Sequence, residues 1–134
     1  MLPPDTVIAT TLVGTVTYYS GLRTIDQWGL ADRFVAHLPA NRIGYRGHAK
    51  RAPVLYLRER GVNLEFDHPE VCECDSSCDE GAGDAPSVLV RLPGDLCVRS
   101  TYLVETAALT AHLCAHPEAF RVHRVDCEKA PVEH

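Results

Sequence analysis

Residues 6–27 run TVIATTLVGTVTYYSGLRTIDQ. The β-branched segment 6–10 is a candidate buried strand, because a short apolar run bounded by polar residues suits a sheet interior. Thr11 is placed to cap a helix over residues 12–19, and Gly21 suits the left-handed position just beyond it. Residues 23–27 then form a second strand. A strand, a short helix and another strand make a βαβ unit, which favours parallel pairing and a right-handed crossover.

Downstream, residues 30–38 follow a helical period, with Leu30, Phe34, Val35 and Leu38 inward, Asp32 and Arg33 outward, and Pro39 as the stop. A polar loop at 41–50 precedes a helix that Pro53 opens and Gly61 ends. Residues 62–67 alternate as a half-buried strand, with Val62, Leu64 and Phe66 inward. Segments 87–92 and 96–104 are strands joined by the turn Pro93-Gly94-Asp95. A helix over 107–116 stops at Pro117, and 120–125 is a last strand. Residues 1–5 are a linker, 70–86 a cysteine-rich loop and 128–134 a frayed tail. The expected architecture is one α/β domain over 1–134. Its mixed sheet has a parallel βαβ part first, then an antiparallel hairpin and an edge strand.

The chain has 134 residues, 46% of them hydrophobic and 23% charged, with a formal charge of -5. That composition is ordinary for a globular protein and lacks the basic stripe of a nucleic-acid binder. The one local basic run, Arg42, Arg46, Lys50 and Arg51, fits a solvated loop. No apolar stretch approaches the ~20 residues of a membrane helix. The first residues have neither the basic start nor the apolar core of a signal peptide.

All six cysteines follow residue 71: Cys72, Cys74, Cys78, Cys97, Cys114 and Cys127. Two chemistries suit them. Disulfides belong to an oxidising compartment, and the even count lets all six pair. A zinc site would use Cys72, Cys74 and Cys78, with His68 or a distant cysteine as fourth ligand. The C-x-C step and the lack of a second knuckle favour disulfides. Six such cysteines without an export signal imply either a domain of a larger protein or a cytosolic chain with reduced or metal-bound thiols.

Ligands gather at the carboxyl ends of parallel strands, which here present Thr10 and Thr11, Asp26, and Asp67 with His68. Two carboxylates, an imidazole and two hydroxyls suit a polyol, a metal ion or proton transfer. A metal-assisted hydrolase built on Asp26, Asp67 and His68 would need them within a few Å of each other. His48 and Lys50, beside Gly47, form a second candidate for an anionic or hydroxylated partner. Tyr18, Tyr19 and Trp28 fit core packing better than sugar stacking. A nucleophile elbow, a phosphate loop and a dinucleotide fingerprint are all missing, so no catalytic residue and no cofactor are assigned.

The runs GTVTYYSG (14–21), TIDQWGLADRFVA (24–36) and RGHAK (46–50) resemble the soluble C-terminal region of bacterial polyprenyl-phosphate-sugar-dependent membrane glycosyltransferases, similar to mannosyl- and arabinofuranosyltransferases. The likeness covers about residues 5–69. It implies an extracytoplasmic domain, in the periplasm or at the cell surface, tethered through the membrane-spanning portion of a parent protein. Its implied partner is a glycan acceptor or a polyprenyl-linked sugar, and its implied role is binding or support rather than catalysis. Asp26, Asp32, His48 and Lys50 are the motif positions carried over.

Overall fold

A computed structural model describes residues 1–40, 49–67, 71–74, 78 and 83–129. The chain runs β1 (Val7–Thr10), α1 (Val13–Ser20), β2 (Arg23–Asp26), α2 (Arg33–Ala36), α3 (Val54–Glu59), β3 (Leu64–Asp67) and β4 (Val71–Glu73). It continues through β5 (Ser87–Leu92), β6 (Leu96–Tyr102), α4 (Ala107–Ala115) and β7 (Phe120–His123) to a 3-10 turn at Cys127–Lys129. The strands form one seven-stranded sheet in the order β2-β1-β3-β6-β5-β7, with β4 also paired to β6. β1 is parallel to both β2 and β3, and the remaining pairs are antiparallel. This is the mixed sheet expected from the sequence.

β1 has neighbours on both edges, and all four of its residues are buried. Its alternation splits the core in two. Val7 and Ala9 pack with Ile25, Val35, Leu57 and Val62 beneath α2 and α3. Ile8 packs on the other face with Leu64, Val88, Leu109, Leu113 and Phe120, beneath α4. Each fully buried Val, Leu or Phe contributes roughly 1.5–3 kcal/mol relative to exposure. A third, small cluster of Cys78, Cys97 and Leu89 lies under β4 and β5.

Several expectations are corrected. Thr11 does not cap α1. Leu12 occupies the cap without a side-chain bond. The Thr11 hydroxyl instead donates to the Asp67 carbonyl at 3.1 Å, tying β1 to β3. Gly21 does end α1, at φ 65°, with its N–H on the Thr17 carbonyl. The helix expected over 30–38 shrinks to α2, because the Asp32 side chain accepts from Val35 N–H and starts the helix there. Tyr18 and Tyr19 are not core residues: each is 82% exposed. None of α1's residues is buried. The segment 70–86 is more than a loop, since it holds β4, whose Cys72 lies opposite Cys97.

The alternation rule also fails at Asn63, which is buried. Its Oδ1 accepts from Val7 N–H at 2.8 Å, and its Nδ2 donates to the Val104 carbonyl at 2.9 Å. Its own backbone bonds Val7 and Leu103, at 2.8 Å each. The strand is flanked on both edges here, so a side chain carrying both a donor and an acceptor completes the ladder where an apolar one would leave polar groups unpaired.

All six cysteines are paired, as Cys72–Cys78, Cys74–Cys97 and Cys114–Cys127. The first closes a small loop within the β4 segment, the second anchors that segment to β6, and the third ties α4 to the turn after β7. These bonds are consistent with an extracytoplasmic location. No helix among the described residues is long and apolar enough to cross a membrane.

Candidate functional site

The parallel strands end in a row. Thr10 pairs in register with Asp26 on one side and Asp67 on the other. A bulge between Ala9 and Thr10 lets β3 run one residue longer than its partner. Asp67 takes φ 50° at this end, a left-handed conformation that Asp tolerates better than most residues. The strand-end residues are therefore adjacent, but their side chains diverge.

Asp26 is buried, and both carboxylate oxygens are engaged locally. Oδ1 accepts from Trp28 N–H at 2.9 Å and Oδ2 from Ala31 N–H at 2.6 Å. This folds residues 27–31 into a tight turn that delivers Asp32 to the start of α2. Gly29 is obligatory in the turn. It has φ 78°, and a Cβ there would stand 2.7 Å from Ala36 N and 2.8 Å from the Val35 carbonyl carbon. The spacing Asp26-x-x-Gly29-x-x-Asp32 thus encodes one turn and one helix start. The hydroxyls of Thr10 and Thr11 face the Asp67 carbonyl, at 3.5 and 3.1 Å.

The strand ends also bring together Gln27, Arg51, Glu65 and Asp67. Arg51 Nη2 lies 3.0 Å from Asp67 Oδ2 and 3.6 Å from Glu65 Oε1. Gln27 is fully buried and donates from Nε2 to Glu65 Oε1. Its own Oε1 finds no donor among the described residues. Burial pushes the Glu65 carboxyl above the usual glutamate range, a shift opposed by Arg51 and reinforced by Asp67. Arg51 and Asp67 stay accessible, with side chains 34% and 48% exposed. The result is a polar floor with an open, charged rim.

Asp32 stands apart from this floor. Tyr56 donates its hydroxyl to the Asp32 carboxylate, at 2.9 Å to Oδ2. Burial raises the Tyr56 phenol above its ordinary range, and the neighbouring Asp32 adds to this. Phe34 stacks on Tyr56 with ring centroids 4.3 Å apart. Lys50 donates to the Ala36 carbonyl at the end of α2. His48 and His68 lie outside the described residues, so the hydrolase triad and the fourth zinc ligand are not placed. Among the described residues no group of His, Cys, Asp and Glu is arranged to hold a metal ion. The paired thiols do not favour the zinc alternative.

Gln27, Arg51, Glu65, Tyr56 and Asn63 are absent from the candidates read in the sequence. Glu65 falls on the outward side of the 62–67 alternation, and Arg51 looks like part of a solvated basic run. The strand order β2-β1-β3 and the bond from Ala52 N–H to the Gln27 carbonyl, 2.9 Å, bring them together.

Fold and site together define an α/β domain with a polar floor at its parallel strand ends and a disulfide-linked second half. The chain matches the family described as Domain of unknown function (DUF8728) over residues 1–119, and it belongs to that family. Neither a curated protein nor a solved structure matches it.

Proposed function

We propose that the chain is a non-catalytic extracytoplasmic domain of a membrane glycosyltransferase, handling a glycan acceptor or lipid-linked sugar at its parallel strand ends. The observation that carries this reading is the Gln27–Arg51–Glu65–Asp67 floor. It combines an arginine fork, two carboxylates and an amide oxygen that has no donor among the described residues. Such a set suits a ligand rich in hydroxyls, each of which donates and accepts. Its position at the carboxyl ends of parallel strands is where open α/β sheets hold ligands. The disulfides fit delivery to an oxidising compartment by a membrane-spanning parent chain. The turn encoded by Asp26, Gly29 and Asp32 coincides with the block that resembles the glycosyltransferase tails.

Amide spectra recorded during titration with mannosyl and arabinofuranosyl oligosaccharides test the binding role. Shifts are expected at Gln27, Trp28, Arg51 and Glu65, with weak affinity, because few contacts must offset the cost of immobilising a flexible ligand. Spectra unchanged at millimolar sugar would reduce the domain to a scaffold.

A further inference from the structure

A second cleft lies beside the turn. It encloses about 690 Å³ and is lined by Asp32, Arg33, Phe34, His37, Tyr56 and Arg60, among others. In a chain of net charge -5 its composition is anomalous. Three of those six residues are basic or can become so, and the lone acid is already committed. Asp32 accepts from both Val35 N–H and the Tyr56 hydroxyl. Among the described residues no carboxylate pairs with Arg33 or Arg60. Arg60 instead sits over the Tyr56 ring, 5.8 Å from its centroid. His37 is held by its Nδ1, 2.6 Å from the Arg33 carbonyl, which leaves Nε2 unconstrained by that contact. Phe34 stacks one face on Tyr56 and remains 49% exposed.

An arginine fork binds phosphate or carboxylate through charge-assisted bonds, and an exposed aromatic ring packs the apolar face of a sugar. Resting on the glycan-handling role above, we propose that this cleft binds a saccharide carrying a phosphate or carboxylate, with the anion between Arg33 and Arg60 and the sugar against Phe34. A sugar phosphate would come from a lipid-linked donor, and a uronic acid from an acidic glycan.

The test is amide-detected titration of the whole chain with mannose 1-phosphate, glucuronic acid, methyl mannoside and inorganic phosphate. Mannose 1-phosphate or glucuronic acid should shift Arg33, Phe34, His37, Tyr56 and Arg60, and bind at least tenfold tighter than methyl mannoside or inorganic phosphate. Whichever of the two binds tighter identifies the source. The R33Q/R60Q double variant, on two exposed positions, should keep the spectrum of the fold and lose at least tenfold in affinity. Equal binding of the neutral sugar, equal binding of bare phosphate, unchanged affinity in the variant or a silent cleft would each overturn the assignment. Shifts at Gln27 and Glu65 with a silent cleft would sink this site and leave the strand-end site standing; the reverse pattern would do the opposite.

Discussion

Up to residue 67 the chain contains no cysteine, and its parallel strands β2, β1 and β3 are positioned by polar groups aimed at backbone. From residue 71 onward the antiparallel half carries all three disulfides, and none of these reaches back into the parallel part. Asp26, Asn63 and the threonines do in one half what sulfur does in the other. The contrast follows from burial. The parallel strands have helices against both faces, so buried amides and carboxylates hold them without covalent help. The β4 segment has only a three-residue strand and a small cysteine-lined core, too little apolar area to order the chain around it. The halves meet where β3 pairs with β6 through two registered pairs, reinforced by Asn63.

Breaking the parallel half should cost most. Gly29→Ala must force a Cβ into the backbone of Val35 and Ala36 at a positive φ. Strain and overpacking together predict a loss of about 4 kcal/mol. Urea unfolding measures it, and a loss below about 1 kcal/mol would mean the turn is not tightly held. Asn63→Ala leaves the Val7 N–H and the Val104 carbonyl buried without partners, at a cost of about 3 kcal/mol. Asn63→Asp should restore only the Val7 contact and recover little. In the antiparallel half, removing Cys74 and Cys97 together opens a 23-residue separation. The expected loss is about 2–3 kcal/mol. Amide signals of β4 should broaden first while those of β1 and β2 persist; simultaneous loss of both sets would erase the contrast drawn between the halves.

The smallest effect concerns Glu65. Its carboxyl titrates above the usual glutamate range in the folded state, because of burial. The folded protein therefore holds this proton at pH values where the unfolded chain has released it. Stability must fall as pH rises from the ordinary glutamate range through the raised value. Glu65→Gln should abolish that slope. It also gives Gln27 Oε1 an amide donor, for a gain of about 1 kcal/mol at pH 7. Denaturation at pH 4 and pH 7 checks both parts, and an unchanged slope would place the titration elsewhere.

Much of this contrast was legible in the chain itself. The β-branched run before Thr10, Gly21 and the turn at Pro93-Gly94-Asp95 each specify local conformation through their own side chains or lack of them. The clustering of cysteines after residue 71 marked the half that needs covalent support. The strand-end floor was legible only in part. Thr10, Asp26 and Asp67 could be placed in a row from strand order alone. The direction of each side chain depends on register and on the bulge opposite Ala9, which no local pattern encodes. Alternation likewise turns Asn63 outward, since it assumes one wet face and the strand has none at that point. The pairing of Cys74 rather than Cys72 with Cys97, although Cys72 is the register partner, lies equally beyond local rules.

The Leu103 amide proton points across the joint at the Asn63 carbonyl, 2.8 Å away. Deuterium can replace that proton only when the amide group swings away, so its exchange rate clocks separation of the two halves apart from global unfolding. One resonance thus gauges a joint that no sulfur spans.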